Sequence, residues 1–274
     1  MLTTREKRAA FRKLHEKGCF VLPNPWDVGT ARLFQHLGFQ ALASTSAGFA
    51  WSQGRPDYAL SRGDVLAHLR TLCGATDLPV NADFESGFAP DTHMLAESVR
   101  LAVETGVAGL SIEDRDLGVA PDALFETNRA IERIKAARYV IDASLENVVL
   151  VARTEILLVD PSAISPAIDK LVAFAEAGAD CLYAPGVREA GEIAAIVKAV
   201  APRPVNVVMM RSGLSLRRLE DLGVRRVSIG GALARAAWAR IISVLADIRD
   251  KGSFEGLEDG IPGKQLNKIF NEFP

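Results

Sequence analysis

Three carboxylates and one guanidinium close short apolar runs in this chain. Asp83 and Glu85 end Val80-Asn81-Ala82-Asp83-Phe84-Glu85, Glu113 ends Leu110-Ser111-Ile112-Glu113, and Arg153 ends Val149-Leu150-Val151-Ala152-Arg153. Acidic side chains held close together raise one another's pKa unless a cation neutralises them. Oxygen donors with few histidines suit a hard divalent ion, Mg2+ or Mn2+, that keeps several of its waters. Arg153 on the opposite side could grip a carboxylate bidentately. The chemistry indicated is a small anionic acid beside such an ion, its carbonyl polarised by the charge. The bland reading is a buried ion-pair network of Asp83 or Glu113 with Arg153 or Arg115. It serves as well for any one of these residues, and poorly for all of them at strand ends on one face.

Side-chain alternation supports that common face. If Val80, Ala82, Leu110 and Ile112 turn toward outer helices, then Asn81, Asp83, Ser111, Glu113 and Arg153 turn inward, with Glu85 joining them if its strand persists. Eight candidate strands run over 19–23, 41–44, 78–83, 109–113, 148–153, 181–185, 205–208 and 226–230, each followed by a helical pattern. Ser61-Arg62-Gly63-Asp64 and Ser165-Pro166 have the chemistry of helix starts. Gly38, Gly106, Gly178 and Gly223 stand where helices end before the next strand. Strands alternating with helices imply parallel pairing through right-handed crossovers. No Gly-rich dinucleotide turn follows the first strand; Leu22-Pro23-Asn24-Pro25-Trp26-Asp27 stands there instead. The expected fold is therefore an α/β, (β/α)8 TIM-type barrel, whose loops present charge at one rim. The whole chain, 1–274, reads as one barrel domain, with a leading helix over about 5–17 and a C-terminal extension over about 250–274. Ile261, Leu266, Ile269, Phe270 and Phe273 come after the barrel should be complete. They need a surface to cover, and a neighbouring subunit supplies one, which points to a homo-oligomer.

A formal net charge of -2 makes no electrostatic case for nucleic acid. No apolar run is long enough to span a bilayer, and the first residues lack a secretory apolar core. Cys19, Cys73 and Cys181 are odd in number and far apart, which suggests free buried thiols and a cytoplasmic setting. Thr45, Ser46 and Ala47 lie in a small-residue stretch where backbone N–H groups could approach an anion, although an ordinary turn explains it too. Asp57 sits on the following loop and alone reads as a turn residue. Asn206, inward on the seventh strand, could hydrogen-bond a ligand or neighbouring backbone. Gly230-Gly231 could cradle phosphate or simply turn the chain, and Asp27 could line the mouth or cap a helix. His15, His36, His68 and His93 read as solvated helix residues, so a histidine catalyst is disfavoured.

With these residues set out, the chain resembles the isocitrate lyase / phosphoenolpyruvate mutase superfamily over about residues 5–250. The resemblance rests on Thr45-Ser46-Ala47-Gly48, Pro56-Asp57, Asn81-Ala82-Asp83-Phe84-Glu85-Ser86-Gly87, Ser111-Ile112-Glu113-Asp114, Val151-Ala152-Arg153-Thr154 and Ser228-Ile229-Gly230-Gly231. It implies a barrel whose last helix is exchanged between subunits, in dimers or tetramers, and Mg2+-dependent cleavage or formation of C–C or P–C bonds in 2-oxo acids. Asp83 would hold the metal, with Glu85 and Glu113 acting largely through its waters. Thr45, Ser46 and Ala47 would match the loop for the oxo-acid carboxylate, Arg153 the arginine on the ligand, and Asp57 an aspartate near the reacting group. After Asp114 the lyases carry a catalytic cysteine and the mutases a lysine-bearing gating loop. Here the chain reads Arg115-Asp116-Leu117-Gly118-Val119-Ala120-Pro121-Asp122. The expectation is a lyase acting on a small 2-oxo acid, with catalytic Asp57, Arg153 and Glu113. Phosphonopyruvate or phosphoenolpyruvate chemistry is the second reading, and a non-catalytic 2-oxo-acid-binding protein the third.

Overall fold

In the computed structural model, which describes residues 2–273, eight parallel strands run in the ring order β1-β8-β7-β6-β5-β4-β3-β2. They are β1 (Phe20–Leu22), β2 (Leu42–Ala43), β3 (Val80–Asp83), β4 (Gly109–Glu113), β5 (Val149–Arg153), β6 (Cys181–Tyr183), β7 (Val205–Val208) and β8 (Arg226–Ser228). The first and last strands pair, Phe20 with Arg226, which closes that side. At the β1–β2 seam the Ala43 N–H donates to the Pro23 carbonyl at 3.2 Å. The result is a nearly closed (β/α)8 barrel. All eight expected strands are present, most of them shorter than their apolar runs.

Why the strands sit so firmly follows from two apolar layers. Ala82, Leu110, Ile112, Leu150, Ala152 and Leu182 face the surrounding helices. Phe11, Phe20, Leu22, Val149, Val151 and Cys181 form a separate cluster inside the barrel. Phe11 comes from the leading helix Thr4–Leu14, which ends earlier than the expected 5–17 and plugs the barrel floor. Phe11 and Phe20 meet edge to face at 6.2 Å. Thr3 and Glu6 close a capping box that starts this helix.

The punctuation is mostly as read. Ser61 and Asp64 form a capping box, and Gly38, Gly106, Gly178 and Gly223 take positive φ of 83°, 93°, 103° and 89°. Ser165-Pro166 instead fall inside the first turn of Ile164–Glu176, where a missing proline N–H costs nothing. Two histidines depart from the solvated reading. His68 is buried and stacked on Phe49 at 3.7 Å, and His15 lies between Phe11 and Phe20 with its Nδ1 on the Phe11 carbonyl. Burial pushes both below their usual pKa, His15 to about 3 and His68 to about 4. Cys73 and Cys181 are buried and Cys19 is half-buried, all three free. Among the described residues no helix is long and apolar enough to cross a membrane.

The last strand leads into Ala232–Lys251, a helix of which only Ala234 and Val244 are buried. Trp238, Ile241, Ile242 and Leu245 stand exposed along it. The chain returns through Gly263–Phe270, which buries Ile269, and Phe273 beyond it lies under the Arg32 guanidinium.

Candidate active site

Strand register gathers the charged groups at the C-terminal mouth. β3 sets Asp83 beside Ser111, and β4 sets Glu113 beside Arg153. Paired strands lie under 5 Å apart, so Glu113 Oε2 and Arg153 Nε approach to 3.4 Å. Arg153 also reaches Asp83, Nη1 to Oδ1 at 3.4 Å, and pairs with Glu155. Its guanidinium lies 5.2 Å from the Tyr183 ring centroid. Burial works against that charge, but Glu155, Glu113 and Asp83 hold its pKa well above the ordinary range.

Asp83 is fixed from two sides. Its N–H donates to Ser44 Oγ at 2.9 Å, and its Oδ2 accepts the Ser46 N–H at 3.0 Å. Asp57 lies beside the Ser46 side chain, its pKa raised by burial and then by the Asp83 charge. Thr45 caps the helix Ser46–Ser52, accepting the Gly48 N–H. A side chain at Gly48 would collide with Thr45 Cγ2 at 2.6 Å, so glycine lets this loop close down. Ala47 is half-buried on the same turn.

Glu85 arrives by a different route from the one alternation suggests. β3 ends at Asp83, and Glu85 sits in the turn beyond with φ +48°. That left-handed conformation is costly for a residue with a Cβ. It delivers Glu85 to a buried position among like charges, and burial, then Asp83 and Glu113, push its pKa up to about 9. Burial likewise raises Glu113, although Arg153 opposes the shift. The buried Oε1 atoms of both Glu85 and Glu113 have no hydrogen-bond partner in the protein. Two unsatisfied carboxylate oxygens cost free energy unless something positive meets them.

Among the described residues no three acids close into a ready-made cation cage. The donor set still fits a hard divalent ion that retains most of its water, because such an ion needs only one or two direct carboxylates. The orphaned Glu85 and Glu113 oxygens are acceptors for that water shell.

Beneath the acids lies a polar layer. Asn206 accepts from Arg226 Nε at 2.9 Å and donates to Ser228 Oγ at 3.1 Å. Arg226 also contacts Asn81 Oδ1 at 3.4 Å and His15 at 3.5 Å. Asn206 therefore forms the floor of a cavity of about 50 Å3 bounded above by Asp83, Arg153, Ser111 and Tyr183. The Gly230 N–H donates to Asn24 Oδ1 at 2.8 Å, so that loop is held as a turn. Asp27 caps the helix Val28–His36.

Three participants are not among the residues singled out from the sequence. Glu155, fully buried, bridges Arg153 and Arg115, the latter at 3.2 Å. It lies two residues beyond Arg153, the spacing at which a strand returns to the same face. Tyr58 holds φ +63° and lies beside Glu113, with the Arg115 guanidinium 5.4 Å over its ring. Nothing in the local pattern marks it. Arg226 stands at the start of a strand, where a charge reads as surface.

A family model described as phosphoenolpyruvate phosphomutase matches residues 11–249. A crystal structure from Burkholderia cenocepacia J2315, described in general terms as a lyase/mutase, superposes with a TM-score of 0.94 at 45% identity, covering 98% of this chain and 97% of that one. An oxaloacetate decarboxylase of Rhodopseudomonas palustris (strain BisB5) is 30% identical over 257 residues, 90% of this chain and 86% of the relative. An oxaloacetate acetylhydrolase crystallised with its product oxalate matches with a TM-score of 0.86 at 27% identity, covering 97% and 93% of the two chains.

Proposed function

This chain belongs to the isocitrate lyase / phosphoenolpyruvate mutase superfamily, and from that premise we propose that it is a Mg2+-dependent lyase of a small 2-oxo acid, acting by C–C cleavage or decarboxylation through an enolate-like intermediate. One observation carries the reading. Asp57, Asp83, Glu85 and Glu113 meet around Arg153, and two of their buried oxygens lack any partner in the protein.

Asp83 would hold the ion, with Glu85 and Glu113 facing its waters, and the bound cation would supply the charge that polarises a 2-oxo carbonyl. Arg153 grips the substrate carboxylate, already oriented by Glu113 and Glu155. The Thr45–Ala47 turn would meet the same end of the substrate through the Thr45 and Ala47 N–H groups, since the Ser46 N–H is held by Asp83. Asp57, its pKa raised by burial and then by the Asp83 charge, is the acid placed to give a proton to the reacting carbon. Asn206 shapes the floor under the ligand.

The oxaloacetate-acting relatives make oxaloacetate the first substrate to test. No cysteine stands in the 115–125 loop, so methylisocitrate cleavage is expected to fail. Assays of oxaloacetate, methylisocitrate and phosphonopyruvate with Mg2+, then with chelator, decide the matter. Expected is pyruvate and CO2, or oxalate and acetate, from oxaloacetate, lost on chelation and restored by Mg2+. Turnover of phosphonopyruvate alone transfers the assignment to P–C chemistry, which the description of the matching family favours. Mg2+-dependent binding without product from any of the three leaves a 2-oxo-acid-binding protein.

The exposed Ala232–Lys251 helix supports a second part of the proposal, that it is exchanged with a neighbouring subunit of a homo-oligomer. An apolar stripe of Trp238, Ile241, Ile242 and Leu245 in water is unfavourable by ~25 cal/mol per Å2. Light scattering after Ile242→Glu should find monomers where the wild type is a dimer or tetramer.

A further inference from the structure

Beside the mouth cavity lies a second chamber, of about 100 Å3, that the mechanism above does not use. Its walls come from the segments after β5, β6 and β7, so it opens on the same C-terminal face as the acids. Leu158, Val187, Ile193, Val208 and Met209 line it, and it contains no carboxylate. Val187 and Ile193 are buried behind it. A chamber with such walls holds water poorly and an aliphatic group well, and its volume accommodates several carbon atoms.

The two spaces approach each other at Gly230. Gly230 bounds the mouth cavity, and a Cβ placed there would lie 3.5 Å from both Val208 Cγ2 and Met210 Sδ, which bound the chamber. Position 230 carries no side chain, so Val208 and Met210 stand directly between it and the chamber. Met210 is the yielding one, half-exposed and built of three rotatable bonds around a soft sulfur. Arg188 and Arg211 stand exposed at the outer rim.

We infer that this chamber receives an aliphatic branch of the substrate, with Met210 as the movable divider, so that the preferred 2-oxo acid carries an alkyl group beyond its reacting carbons. The inference rests on the mouth being a 2-oxo-acid site, and its test separates the two. Titration calorimetry with Mg2+ compares pyruvate, 2-oxobutanoate, 2-oxopentanoate and 2-oxoglutarate. Burying one methylene contributes about fourfold in affinity, so Kd should fall about fourfold at each step from pyruvate to 2-oxopentanoate. Val208→Phe and Leu158→Phe fill the chamber, and both should bind pyruvate within about twofold of wild type while losing the gain with length. Leu158 is exposed enough for its variant to fold even if Val208→Phe does not. A Kd that is flat or rises with length in the wild type overturns the inference, as does a gain that survives in the folded variants. Tighter binding of 2-oxoglutarate than of 2-oxopentanoate also overturns it and gives the site to Arg188 and Arg211. If pyruvate itself does not bind, the mouth assignment falls as well; if pyruvate binds and its homologues gain nothing, only the chamber does.

Discussion

Both ends of the barrel bury charge, and they treat it in opposite ways. At the floor Lys7 donates to the carbonyls of Cys73 and Thr76 at 2.9 and 2.6 Å, and Arg8 to those of Val107 and Val103 at 2.9 and 2.7 Å. Those carbonyls cluster at the ends of the helices Arg62–Ala75 and Thr92–Val103, where acceptors are left over and the helix dipole is negative. Cation and acceptor are matched there, and Glu146 pairs with Arg8 as well. At the mouth, Asp57, Asp83, Glu85, Glu113 and Glu155 share Arg153 and Arg115, and two oxygens are left over. A matched site stabilises the fold; a mismatched one destabilises it until a ligand arrives.

The comparison breaks most visibly at Arg153. Replacing it by Met removes the shared cation from buried acids and should lower stability by about 3–5 kcal/mol, while abolishing turnover. Thermal unfolding together with assay checks both. Asp83→Asn should reduce kcat about 10²- to 10³-fold, yet leave the melting temperature unchanged or raised, because it relieves like-charge repulsion on Glu85. A large loss of stability would mean that Asp83 is structural. Lys7→Met should do the reverse, costing about 1–3 kcal/mol for two abandoned carbonyls and leaving kcat within about twofold.

The smallest effect concerns pH at the floor. His15 titrates at about 3 in the fold because burial, then Arg226, disfavours its charge, whereas an unfolded histidine takes its proton near 6.5. Between those values the unfolded state binds the extra proton, so stability falls as pH falls, by about 1.4 kcal/mol per unit for each such group. His68 acts in the same sense below 6.5, down to about 4. Denaturant midpoints from pH 7 to 5 should therefore decline, and His15→Gln should shallow the slope. An unchanged slope would place the titrating group elsewhere.

Particular residues show what the linear pattern carries. The inward set of Asn81, Asp83, Ser111 and Arg153 was legible because strand alternation has a period of two, and all four line the mouth cavity. Gly38, Gly106, Gly178 and Gly223 were legible because a left-handed helix end favours glycine. Glu85 was expected inward only if its strand persisted; the strand ends at Asp83, and Glu85 reaches the interior through a strained turn instead. Tyr58, Arg226 and the buried histidines were illegible, since their partners lie on elements remote in sequence.

By itself the amino-acid order determined which segments become strands, which of their side chains share a face, and that a carboxylate-rich rim results. Those properties come from periodicity, local capping and steric limits on φ, all of which act over a few residues. Only the tertiary structure decided that Glu113 lies against Arg153, that Glu155 completes the cluster, and that Arg226 sits beneath it among Asn206, Asn81 and His15. Register between distant strands and the closure of the ring set those distances, and neither is encoded within any one segment.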